Sequence, residues 1–153
     1  VYVYGIRRAA AAPTPLPTAQ PSSSTAAQDC PVTELTIATP PTAVASGRGF
    51  LPRGPYYLSA DRQVWAQDWG WTSTPGMRKV LWLKPLGVSL EVSGRRLDAE
   101  APPLGIDTGG DSSDGFQASH LIFPTEGCWE IVAQSGNSVL RFVMYIHAVH
   151  VSS

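Results

Sequence analysis

Cys128-Trp129-Glu130-Ile131-Val132-Ala133-Gln134-Ser135-Gly136-Asn137-Ser138-Val139-Leu140-Arg141-Phe142-Val143-Met144-Tyr145-Ile146 is the stretch on which the fold class turns. Two apolar-rich runs meet at Ser135-Gly136-Asn137-Ser138, where Gly takes the first left-handed position of a tight turn at little steric cost. In the second run Leu140, Phe142, Met144 and Ile146 fall on one side of an extended chain, and Arg141, Tyr145 and His147 on the other. The pattern predicts a β-hairpin with strands over 128–134 and 139–149.

Upstream the same grammar repeats. Leu35 to Ala38 reads as a strand ended by Pro40-Pro41. Tyr56 to Ser59 and Gln63 to Gln67 read as a hairpin around Ala60-Asp61-Arg62, and Val80 to Lys84 as a strand stopped by Pro85. Leu86, Val88, Leu90 and Val92 alternate with Gly87, Ser89 and Glu91, which predicts a strand with one wet face. Ala118 to Phe123 completes the set. Fourteen Gly and fourteen Pro cut the chain into short pieces with no amphipathic helix between them. The expectation is an all-β, antiparallel sandwich.

The N-terminus is different in kind. Residues 1–8, Val-Tyr-Val-Tyr-Gly-Ile-Arg-Arg, are a short β-prone segment. Residues 9–29 are almost entirely Ala, Pro, Thr, Ser and Gln, and Pro13, Pro15, Pro17 and Pro21 exclude a helix or a sheet interior. They read as a semi-extended linker, so the chain divides into a β-prone segment, an extended tail and a folded domain over 30–150. Val1 stands where an initiator Met would be, which suggests that a signal or anchor has been removed. No run approaches the roughly eighteen apolar residues of a membrane-spanning helix, so membrane attachment is expected only through a tether outside this chain.

Charge excludes one class of partner. The net charge is −1, with nine Arg, two Lys and 15% charged residues, against roughly 25% in an ordinary soluble domain. Nucleic acid is not expected, because phosphate binding needs a clustered excess of Lys and Arg.

Two cysteines in a Pro-rich, Lys-poor chain read most simply as a Cys30–Cys128 disulfide, which places the protein outside the cytoplasm. The alternative is two buried thiols. Trp65, Trp69 and Trp71, with Tyr56 and Tyr57, either fill a core or form a ligand face for sugar rings, with Trp69 and Trp71 sharing one side of a strand. Asp107, Asp111 and Asp114 lie in a Gly/Ser-rich segment and could offer oxygen ligands to Ca²⁺, although their spacing does not fit an EF-hand loop; the plainer reading is a long solvated loop. His147 and His150 would fall on opposite faces of a strand. No nucleophile elbow, phosphate loop or zinc-helix motif occurs. The chain therefore reads as non-enzymatic and without a cofactor, its partner a protein or another copy of itself. Val1, Tyr2, Val3 and Tyr4 are the candidate assembly strand.

Phe123-Pro124-Thr125-Glu126-Gly127-Cys128-Trp129-Glu130-Ile131, followed by Leu140-Arg141-Phe142-Val143, resembles an uncharacterised family of secreted or membrane-tethered bacterial proteins with an FPT-x-GCWE block. Cys30-Pro31-Val32-Thr33, Lys79 to Trp82 and Gly94 to Asp98 match further elements of that family, so the resemblance spans about residues 30–147. It implies an immunoglobulin-like β-sandwich exported by a bacterium. It implies no activity.

Overall fold

The computed structural model describes residues 13, 29–41, 53–109 and 115–147. Among these the chain forms nine strands and no helix: β1 (Thr36–Ala38), β2 (Gly54–Leu58), β3 (Trp65–Trp71), β4 (Met77–Leu83), β5 (Glu91–Arg96), β6 (Gly105–Thr108), β7 (Phe116–Ile122), β8 (Gly127–Ser135) and β9 (Ser138–Ile146). They build two antiparallel sheets, ordered β1-β2-β3-β4-β7-β6 and β5-β8-β9. The expected all-β sandwich is what the chain adopts.

The hairpin that opened the reading is the centre of the smaller sheet. Ser135 pairs with Ser138 and Gly127 with Ile146, so Leu140, Phe142, Met144 and Ile146 all enter the core beside Trp129, Ile131 and Ala133. The larger sheet answers with Tyr57, Val64, Ala66, Val80, Trp82 and Leu121. Tyr57 stacks on Phe142 at 4.0 Å between ring centres, and Phe123 meets Trp129 edge-on at 5.5 Å. Contact between large rings across the interlayer space is the main apolar gain of such a fold.

The larger sheet is unusual in burying its outward side as well. Ala38, Tyr56, Trp65, Leu81 and Leu83 form a second buried cluster, with Leu58, Phe116 and Ala118 packed against it.

Loops are fixed by short polar side chains. The Ser59 hydroxyl accepts the N–H groups of Gln63 and Val64 and donates to Asp61, and Asp61 also accepts from Ser138, 77 residues away. The β2–β3 turn is thereby tied to the β8–β9 turn.

Three expectations are corrected. The alternating run from Leu86 to Val92 is not one strand. Gly87 adopts a positive φ of 70° and Val88 N–H returns to Pro85 C=O at 3.3 Å, so Pro85 to Val88 is a turn that throws Leu86 into solvent. Positive φ at the third residue is what a type II turn requires of its Gly, and β5 begins only at Glu91. The segment read as a solvated loop from residue 106 opens with strand β6, held because Ile106 packs against the core and Asp107 pairs with His120. Trp69 and Trp71 do not share a face. Asp68 pairs with Val80 and Gly70 with Lys79, leaving Trp69 as the extra residue of a β-bulge; one inserted residue reverses the side on which every later residue points.

Candidate interaction surface

Each proposed ligand-face aromatic has a defined place. Tyr56 and Trp65 are buried in the outward cluster, edge to face at 5.4 Å, and the Trp65 indole N–H donates to Arg62 C=O at 2.9 Å. Tyr57 belongs to the main core, and burial together with the nearby Asp68 carboxylate raises the pKa of its hydroxyl. Trp71 lies against Phe123, with the Arg78 guanidinium 4.7 Å from its ring centre. Trp69 alone stands out, 49% exposed, with the Lys79 ammonium 4.8 Å from its ring centre. The bulge separates it from Trp71, so the aromatics do not form one platform.

Asp107 sits on β6 with a carboxylate oxygen 3.9 Å from His120. Asp111 and Asp114 lie outside the described residues, as do Val1, Tyr2, Val3 and Tyr4. Among the described residues no group of three His, Cys, Asp or Glu side chains is placed to hold a metal ion, and no helix is long and apolar enough to cross a membrane.

Cys30 and Cys128 are bridged, with Cα atoms 5.6 Å apart. The bridge lies on the outward face of the smaller sheet with Val143 and Tyr145. The residues around Cys128 explain their own sequence. Gly127 has φ +134°, and a Cβ there would meet Arg96 Nε at 2.2 Å. Arg96 crosses at that point because its Nε donates to Asp98 at 2.7 Å and its Nη1 to the Thr125 hydroxyl at 3.3 Å. Asp98 also accepts Cys128 N–H at 3.1 Å. Burial opposes ionisation of Asp98, but the bonds from Arg96 and Cys128 N–H outweigh it and hold the carboxyl below its ordinary value. Trp129 fills the core while its indole N–H donates to Thr125 C=O at 3.1 Å. These bonds join Arg96, Asp98, Thr125, Cys128 and Trp129 into one structural corner.

The surface that sequence reading passed over is the edge beside the bridge. Thr33 N–H donates to Val143 C=O at 2.9 Å and its hydroxyl accepts Val143 N–H at 2.8 Å, so the incoming chain is stitched to β9 before it joins β2 as β1. Ile37 faces Pro55 across β1–β2, and Pro has no N–H to offer. Thr36 and Ala38 therefore turn their main-chain groups toward β2, and Leu35 and Ile37 turn theirs to the opposite side, on which Thr33 is already bonded to Val143 of β9. Val32 (50% exposed), Leu35 (47%) and Ile37 (56%) are also among the most exposed large apolar side chains. The only charge from Val32 to Ala38 is Glu34. Natural sheets commonly guard an open edge with charge, Pro or a bulge, and this stretch has little of that protection. The signal in sequence was Val32-Thr33-Glu34-Leu35-Thr36-Ile37, whose apolar members the structure leaves in solvent.

No protein-family profile matches the chain, and no curated protein matches it. Among solved structures, the crystal structure of a DUF4426 family protein from Pseudomonas aeruginosa is similar over 57% of this chain and 94% of its own, at 10% identity and a TM-score of 0.37. That likeness carries no functional argument.

Proposed function

We propose that the chain is a non-enzymatic, extracytoplasmic interaction module of a bacterial cell envelope that takes up an added β-strand along its β1 edge. The reading is supported above all by the exposed apolar run Val32, Leu35 and Ile37 beside main-chain groups turned away from β2. An extended segment laid there gains main-chain hydrogen bonds, and its alternate side chains meet apolar surface. The disulfide suits an oxidising compartment. Kinship with the FPT-x-GCWE family rests on the motif itself.

The occupant we assign is Val1-Tyr2-Val3-Tyr4 of a second copy. Its alternation of apolar and aromatic residues suits a strand, and Pro at 13, 15, 17 and 21 favours an extended linker over a helix. Light scattering on the full chain is expected to show association that grows with concentration. Deleting residues 1–8, or making Ile37→Lys, returns it to monomer with near-UV circular dichroism unchanged. A full chain that stays monomeric, or one that associates equally well after the deletion, overturns the assignment. Trp69 favours a second reading, a carbohydrate-binding module stacking on that ring; unchanged Trp fluorescence across a panel of neutral glycans would count against it.

A further inference from the structure

Outward-facing positions of the smaller sheet alternate along each strand, and on β5 and β8 they bring Ser93, Arg95, Glu130 and Val132 to one side, with Arg141 of β9 beside them. Arg95 Nε donates to Glu130 Oε1 at 3.2 Å, and Arg141 Nη1 donates to the same oxygen at 3.1 Å. The Glu130 side chain is only 14% exposed, whereas Arg95 and Arg141 are 74% and 57% exposed. One half-sunken carboxylate thus gathers two guanidiniums that point into solvent over an open depression of about 270 Å³, lined also by Gly94 and Val132.

A pair built only for stability needs one arginine. An exposed ion pair is worth little, a median of about 0–1 kcal/mol, and the second guanidinium adds repulsion from the first. What the arrangement does provide is a preorganised fork. Each guanidinium carries five N–H donors and spends one on Glu130, so most of their donors stay free, and two cations against one anion leave a single positive charge over. That surplus suits a monoanion, and the planar forks match a carboxylate. Glu130 Oε2 is an acceptor beside those donors with no partner among the described residues. The Ser93 hydroxyl adds a further polar group at the rim.

We propose that this depression binds a uronate residue of an acidic polysaccharide. Its carboxylate lies between Arg95 and Arg141, a ring hydroxyl donates to Glu130 Oε2, and ring C–H groups rest on Gly94 and Val132. A carboxylate flanked by hydroxyls meets both the donors and the acceptor, whereas the carboxylate of an acidic peptide meets only the donors. The volume, just below the roughly 300–1,000 Å³ of drug-sized pockets, accommodates one sugar residue rather than a folded epitope. The proposal does not depend on strand addition at the β1 edge, although the two surfaces adjoin: Thr33 bonds Val143, the β9 residue paired with Glu130.

The test is calorimetric titration of the full chain at low salt with three probes: an oligogalacturonate, the same oligosaccharide as its methyl ester, and a poly-glutamate peptide of equal charge. The oligogalacturonate is expected to bind and the ester not to. Arg95→Gln/Arg141→Gln should weaken that binding about tenfold or more, the loss of two charge-assisted bonds. Gln keeps an N–H donor within reach of Glu130 at each position, and near-UV circular dichroism and the unfolding midpoint, measured alongside, separate a loss of binding from a loss of fold. Lys79→Gln, on the other sheet, should leave binding unchanged. Arg95→Lys, which keeps the charge and removes the fork, should lose most of the affinity. Equal binding of ester and acid, equal or tighter binding of poly-glutamate, no binding of any probe, or full affinity in the double variant would each overturn the proposal.

Discussion

Gly127→Ala is the substitution whose cost the structure specifies most closely. At φ +134° the residue occupies backbone space that L side chains rarely enter, a strain of about 1–3 kcal/mol for a non-glycine residue. The added methyl would also lie 2.2 Å from Arg96 Nε, 2.7 Å from Cζ and 2.8 Å from Nη2. The guanidinium must then move off, and it cannot do so while keeping its 2.7 Å bond to Asp98. That pair is about one-fifth exposed on each side, so its loss is discounted to about 1 kcal/mol. The sum is about 2–4 kcal/mol. Urea unfolding followed by Trp fluorescence, under oxidising conditions so that the disulfide is kept, should show the midpoint fall with an unchanged slope. The same experiment on Arg96→Ala and on the double variant separates strain from clash. Removing Arg96 relieves the clash but not the strain, so the double variant should lose about 1 kcal/mol less than the two single losses added together. A loss below about 0.5 kcal/mol for Gly127→Ala, or strict additivity, refutes this account of why Gly precedes Cys128.

Reducing the Cys30–Cys128 bridge frees a loop whose ends are 98 residues apart, and the chain-entropy treatment sets the loss near 4.7 kcal/mol; urea midpoints with and without a phosphine reductant measure it. Stability should also fall in acid through Asp98. Its carboxyl is depressed in the folded state, so its contribution is present above the ordinary value of 3.8 and is lost as pH drops below that value; Asp98→Asn should flatten this part of the pH–stability profile, and an unchanged profile would rule the group out.

The parts of the fold that were legible in the sequence are those set by neighbours in the chain. The β8–β9 hairpin follows from Gly136-Asn137 and the alternation after it, and both strands carry the expected residues inward. What was not legible depends on pairing between distant segments. Trp69 is expelled from the regular ladder by a register shift against Val80 and Lys79, and Trp65-Ala66-Gln67-Asp68-Trp69-Gly70-Trp71 marks it only by Gly70. Pro85 and Gly87 did carry a turn signal, but the apolar alternation across them looks the same whether or not the chain is extended. Glu130 gathers Arg95 from 35 residues away and Arg141 from 11. The nearer partner was within reach of sequence reasoning, since the hairpin register places Arg141 opposite Val132, next to Glu130 on the same face. Arg95 was not, because nothing local fixes which strand lies on the other side of β8.

The bridge also decides how the domain meets a load on its tail. A pull on residue 29 reaches Cys30 first, and from there it has two routes. One runs through the two hydrogen bonds between Thr33 and Val143, each worth about 1 kcal/mol net, at the margin of the smaller sheet, where an edge peels bond by bond. The other is covalent and enters β8 at Cys128. Because β8 lies between β5 and β9, force delivered there is opposed by both flanking ladders together instead of by one bond at a time. In the role proposed above, the disulfide would thus resist a pull on residue 29 in addition to the loop-closure stability it gives at rest.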